Sequence, residues 1–121
     1  MRILIVDDSR TMRLVLRRML SQLGETDVDE AEHGADALDK MVVKVPDLAL
    51  VDWNMPTMGG LEFVKAVREE RHYDKVRLMV VTSESSPRVV YDALKAGADE
   101  YAMKPITIEI MEDKMQLLGL T

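Results

Sequence analysis

The sequence predicts an α/β fold with one doubly wound, five-stranded parallel sheet and helices on both faces. Two observations lead there. Four short apolar runs each end on a polar residue: Ile3-Leu4-Ile5-Val6 on Asp7-Asp8, Leu48-Ala49-Leu50-Val51 on Asp52, Leu78-Met79-Val80-Val81 on Thr82, and Tyr101-Ala102-Met103 on Lys104-Pro105. Runs of this length, rich in Val, Ile and Leu, read as buried parallel strands. Between them lie segments with helical spacing, and alternating strands and helices imply a parallel sheet covered on both sides.

Each element has its own signal. The first helix is expected from about Ser9 to Leu23, with Met12, Val15, Leu16, Met19 and Leu23 at helical spacing and Gly24 as the stop. A second strand near Thr26 to Ala31 alternates Val28 with Asp27 and Asp29. Helices follow from about Ala35 to Val43, Leu61 to Glu70, Pro87 to Ala96 and Thr107 to Leu118. Ser85-Ser86 ahead of Pro87 is a good helix start, with serine as cap and proline in the first turn. The runs ending at Asp7, Asp52 and Thr82 are continuously apolar and belong in the centre. The second strand carries two aspartates and the fifth is short, so both suit edges. This pattern matches the order 2-1-3-4-5, with the switch point between strands 1 and 3, beside Asp7, Asp8 and Asp52.

Composition narrows the function classes. A chain of 121 residues suits one domain, spanning 1–121, that buries a core without metal or disulfide staples. The absence of cysteine excludes disulfides and cysteine catalysis and fits a reducing cytoplasm. No signal peptide is visible, and no apolar stretch approaches the roughly 20 residues of a membrane span. The formal charge of −6 argues against a nucleic-acid-binding surface. A chain of this length leaves no room for a DNA-binding output domain, so it is expected to act by touching another protein, as a monomer.

Ligands in open α/β sheets sit at the carboxyl ends of the strands. Three carboxylates, a hydroxyl and an ammonium therefore converge on one crevice, a set suited to a divalent cation and a phosphoryl group. Two carboxylates about 4 Å apart repel by roughly 4 kcal/mol at an effective dielectric near 20. Countercharge is needed, and Lys104 with a cation supplies it. Taken singly the residues have plainer readings. Asp7 or Asp8 could cap the first helix, Asp52 could be a loop aspartate, Thr82 a strand end and Lys104 a solvated lysine. Arg10, Arg13 and Arg17 line one stripe of the first helix and read as a solvated face. The ten methionines read as core filler or helix formers, and His33 and His72 as surface residues.

The segments Val6-Asp7-Asp8-Ser9, Asp52-Trp53-Asn54-Met55-Pro56, Thr82-Ser83-Glu84 and Lys104-Pro105 resemble the receiver domain of bacterial two-component response regulators, over the whole chain. Thr11-Met12-Arg13, Gly60-Leu61-Glu62, Ala96-Gly97-Ala98, Ile106-Thr107 and Glu112-Asp113-Lys114 are similar to the single-domain chemotaxis members of that family. The resemblance implies a flavodoxin-like winding, Asp52 as phosphoryl acceptor, and Mg²⁺ bound by Asp8, Asp52 and the Asn54 carbonyl, with Asp7 acting through water. It implies that Lys104 and Thr82 contact phosphoryl oxygens, that Tyr101 is an aromatic switch, and that Asn54 and Glu84 tune phosphoryl lifetime. It also implies an output face around Val90 and Tyr101. The partners implied are a CheA-like histidine kinase, the flagellar motor switch protein FliM or another protein target, and a phosphatase. The protein then acts as an acceptor that helps catalyse its own phosphorylation and dephosphorylation, not as a conventional enzyme.

Some positions depart from the family. Gly59 stands where aspartate is common, a cost of only a few tenths of a kcal/mol if the position caps the third helix. Ser83 replaces a smaller alanine beside Thr82, and Ser86 and Pro87 replace lysines at the start of the fourth helix, which touches partner choice. A phosphorelay shuttle or phosphate sink is the alternative to a motor switch. A haloacid-dehalogenase-like phosphatase would need an aspartate where Asn54 stands. A flavodoxin-like FMN carrier would need a hydroxyl-rich loop where Asp7-Asp8 repel phosphate.

Overall fold

The parallel ladder sets the architecture. A computed structural model describes residues 1–84 and 86–120, so Ser85, named above with Ser86, lies outside the described residues. The strands are β1 (Arg2–Val6), β2 (Asp27–Ala31), β3 (Leu48–Val51), β4 (Arg77–Thr82) and β5 (Glu100–Met103). The helices are α1 (Arg10–Gln22), α2 (Gly34–Val43), α3 (Gly60–Glu69), α4 (Pro87–Ala96) and α5 (Ile108–Leu117). A 3₁₀ turn at Arg71–Tyr73, which the sequence reading did not anticipate, follows α3. Sheet order is β2-β1-β3-β4-β5, every pairing parallel, as expected.

Alternation along the central strands divides the core. Leu4, Val6, Ala49, Val51, Leu78 and Val80 face α2, α3 and α4, packing with Met41, Phe63, Val64, Val67 and Ala93. Ile3, Ile5, Leu48, Leu50, Met79 and Val81 face α1 and α5, packing with Leu16, Leu20, Met111 and Met115. Strands buried on both faces must be apolar throughout, which is why no polar alternation shows in the sequence. The edge strand β2 behaves oppositely. Its Asp27 and Asp29 pair with Arg2 at 2.8 and 3.1 Å, and a charged edge resists pairing with another chain.

Local chemistry sets the helix ends. Ser9, Ser86 and Thr107 accept from the backbone N–H groups of Met12, Val89 and Ile110 and so begin α1, α4 and α5. Gly24, at φ 87°, stops α1. Two expectations for α1 need correction. Val15 is exposed, and Leu20 is fully buried in its place. Arg13, read as solvated, is buried, because the backbone and a carboxylate satisfy its guanidinium.

The end of the sheet opposite the strand-end carboxylates is tied by one side chain. Arg68 donates to the carbonyls of Gly97, Tyr73 and Val76 at 2.9, 3.1 and 2.8 Å and to Asp99 at 2.8 Å. Asp99 also accepts from the N–H of Leu78. Planar guanidinium geometry suits this many fixed acceptors, so lysine would not replace it.

His33 also has a partner, against expectation. Its Nδ1 accepts from the N–H of Asp36 at 3.2 Å, making histidine the cap of α2, while His72 is exposed. His33→Ala should therefore lower unfolding free energy by about 1 kcal/mol and His33→Asp should retain the cap, as read by urea denaturation.

Candidate functional site

Ladder hydrogen bonds run past the strand ends and bring the predicted residues together. The register pairs Val6 with Val51, so the residues after them lie side by side. Asp7 N–H donates to the carbonyl of Ala31 at 3.0 Å and Asp52 N–H to that of Val6 at 2.8 Å. Lys104 N–H donates to the Thr82 carbonyl at 2.9 Å. The carboxylate oxygens of Asp7, Asp8 and Asp52 lie within 4.8 Å of one another. Asp7, Asp52 and Thr82 are buried and Asp8 is exposed.

One ammonium answers these carboxylates. Lys104 Nζ lies 2.8 Å from Asp7 and 3.5 Å from Asp52. The Ser9 N–H also donates to Asp7, and the Trp53 N–H to Asp52. Neither aspartate caps α1, because Ser9 has that role. Burial pushes the Asp52 carboxyl above its ordinary range, and nearby Asp7 adds to this; Lys104, the Thr82 hydroxyl and the Trp53 N–H pull the other way without cancelling it. Three carboxylates facing a single ammonium leave negative charge unbalanced. Hard oxygen donors at this spacing fit a divalent cation.

The backbone approaches closely here because of a glycine. A Cβ on Gly60 would stand 2.6 Å from the Asp52 carbonyl oxygen and 2.8 Å from Trp53 Cα, both immovable backbone atoms. Gly60 thus lets α3 start directly against the end of β3, and its N–H donates to the Trp53 carbonyl. The Gly59-Gly60 pair was a visible signal, although its reason was not. Gly59 occupies the cap position of α3 without a side-chain hydrogen bond.

Asn54, Glu84 and Tyr101 form one chain of contacts over the site. Asn54 Nδ2 donates to the Glu84 carboxylate at 2.8 Å, while the Tyr101 hydroxyl donates to the Glu84 carbonyl. Glu84 N–H reaches toward the Thr82 hydroxyl at 3.4 Å. Tyr101 packs half-buried against the core, and burial, then the Glu84 charge, pushes its hydroxyl above the usual range. The link through Glu84 was not visible in sequence. Val90 is half-buried on α4, and Ser83 is exposed beside Thr82.

The fold and the strand-end site define the class of protein. The family model for the response regulator receiver domain matches residues 3–116, and the chain belongs to that family. Such domains are signalling proteins and not conventional enzymes. The chain is 44% identical over 118 residues to a chemotaxis protein CheY homolog of Campylobacter jejuni, covering 96% of this chain and 90% of that protein. It is 40% identical over 119 residues to chemotaxis protein CheY1 of Helicobacter pylori, covering 98% and 96%. The structure of Vibrio cholerae chemotaxis protein CheY4 superposes with a TM-score of 0.89 at 33% identity, covering 97% of each chain. Among the described residues no helix is long and apolar enough to cross a membrane.

The raised Asp52 carboxyl means that the folded protein holds this proton more tightly than the unfolded chain. Its contribution favours folding below the ordinary value of 3.8 and is lost as pH rises through the raised folded value. Without divalent cations, Asp52→Asn should therefore raise Tm at neutral pH. Calorimetry should show that gain shrinking to nothing below about pH 3.8.

Proposed function

We propose that residues 1–121 form a stand-alone phosphoryl-accepting switch, in which Mg²⁺-dependent phosphorylation of Asp52 by a CheA-like histidine kinase changes affinity for a target protein. The observation that carries this reading is the Lys104 ammonium between Asp7 and Asp52, with a third carboxylate beside them. An Asp52 oxygen attacks phosphorus, the bond from phosphorus to the donor nitrogen breaks, and an acyl phosphate forms. Positioning and charge neutralisation dominate such transfers. Asp8, Asp52 and the Asn54 carbonyl would hold Mg²⁺, with Asp7 acting through water, and the ion would supply countercharge to the phosphoryl oxygens. Lys104 exchanges its carboxylate partners for a phosphoryl oxygen, and Thr82 hydrogen-bonds another. Hydrolysis by water returns phosphate and the free carboxylate. Asn54 and Glu84, paired over the site, set that rate and keep the phosphoryl group short-lived.

Drawing the Thr82 hydroxyl toward the phosphoryl group favours the inward Tyr101, and reshapes the surface around Val90, Tyr101 and α5. The target is the flagellar motor switch protein FliM, reached by a monomer in the cytoplasm, with a phosphatase as a further partner. Exposed Ser86 and Pro87 at the start of α4, in place of the family's lysines, favour a second reading, a phosphorelay shuttle or sink with a non-motor partner.

Acetyl phosphate with Mg²⁺ should label the wild-type protein and Asp47→Asn but not Asp52→Asn, by mass spectrometry at early times. Asp47 precedes β3 at its opposite end, where it accepts from the Arg2 N–H at 2.7 Å. Label persisting in Asp52→Asn would move the acceptor elsewhere. For output, the beryllofluoride-loaded protein should bind the N-terminal peptide of its cognate FliM at least about tenfold more tightly than the unloaded protein, a difference of about 1.4 kcal/mol. Thr82→Ala should narrow that gap in calorimetric titration, and equal affinities would favour the shuttle.

A further inference from the structure

Four polar or charged residues are buried among those described, and three of them, Asp7, Asp52 and Thr82, make the site. The fourth is Arg13, which phosphoryl chemistry leaves unused. Its guanidinium donates to the backbone carbonyl of Asp7 at 2.7 Å and to the Glu30 carboxylate at 3.0 Å. Arg17 grips the other Glu30 oxygen at 2.7 Å and also donates to the Val28 carbonyl at 3.0 Å. Burial pushes the Glu30 carboxyl up, but Arg17 and Arg13 outweigh it and hold the group below its usual range, so it stays charged.

The carbonyl that Arg13 holds belongs to the peptide joining Asp7 to Asp8. That unit is planar, so fixing its oxygen fixes the rotation of the whole plane. The Asp7 N–H is already tied to Ala31 of β2, and Arg13 ties the Asp7 carbonyl to Glu30 of the same strand. Both backbone groups of Asp7 are therefore referenced to the edge strand. Asp8 is exposed, and its aim follows its backbone. Glu30 is shared between Arg13 and Arg17, so one carboxylate faces two guanidiniums and a net positive charge stays near the site. That charge opposes metal binding and is not how Arg13 would assist a cation. What remains is the orienting contact.

We infer that Arg13, locked by Glu30, is the positioning residue of the Asp7-Asp8 pair, holding their shared peptide so that both carboxylates meet one divalent cation. This rests on the Mg²⁺ reading above. The test is Mg²⁺ titration followed by fluorescence of Trp53, the sole tryptophan, which follows Asp52 in the chain and whose backbone N–H donates to it, with Tm measured separately in metal-free buffer. Arg13→Met should bind Mg²⁺ about tenfold more weakly, the low end for outer-shell partners of metal ligands. Arg13→Lys should fall between, because it keeps the charge but loses the fork that spans two acceptors. A merely stabilising role would lower Tm and leave the dissociation constant alone, and a purely electrostatic one would tighten binding. Either result overturns the inference. If Arg13→Met fails to fold, the dissociation constant of Arg13→Lys decides on the same criterion. A wild-type protein indifferent to Mg²⁺ overturns the cation reading and this inference together. A wild-type response with an unchanged Arg13→Met constant overturns this inference alone.

Discussion

Like charges gathered at the carboxyl end of a parallel sheet are the constraint on which the rest of the molecule depends. Register forces the crowding, since β1 and β3 are paired through Val6 and Val51 and continue directly into Asp7 and Asp52. Burial, with the Asp7 charge beside it, raises the proton affinity of Asp52, and the ionised group then opposes folding. Lys104 offsets part of this from a position 97 residues away along the chain from Asp7. The remaining imbalance leaves a carboxylate cluster that could hold a metal ion.

Side-chain ties between loops gather at the other end of the sheet. There Arg68, Asp99 and Asp47 satisfy backbone groups of the loops entering β1, β4 and β5 and the turn after α3. Those contacts join fixed acceptors and donors and leave little charge unbalanced. The two ends share the same apolar strands, so strain at the carboxylates is borne by packing such as Phe63, Leu50 and Met79, all fully buried or nearly so. Spatial separation lets one end remain electrostatically unsettled without unfolding the other.

Contacts local in the chain leave a signal in its residues, and Ser86 was legible as a cap in advance. Ser9, Ser86 and Thr107 begin helices because a hydroxyl reaches an N–H three residues on, a rule that needs no tertiary information. His33 makes the same kind of contact through an imidazole nitrogen and was missed, because histidine is an uncommon cap. Arg13 was misread for a different reason. It lies in a stripe with two other arginines, and a stripe of charge on a helix normally faces solvent. Only the approach of Glu30 from β2 and of the Asp7 carbonyl makes burial affordable.

The sequence by itself determined which strands are central, the strand-end residues and the family, because fully apolar runs, their polar terminators and the alternating helices are properties of neighbouring residues. Tertiary structure alone decided which polar groups meet: Arg13 with the Asp7 carbonyl, Asn54 with Glu84, Glu84 with Tyr101, and Gly60 against the backbone of Asp52. The two contacts of Glu84 join residues 30 and 17 apart in the chain, and all four depend on distances of a few ångströms set by sheet register and helix placement. Local propensity carries no record of them.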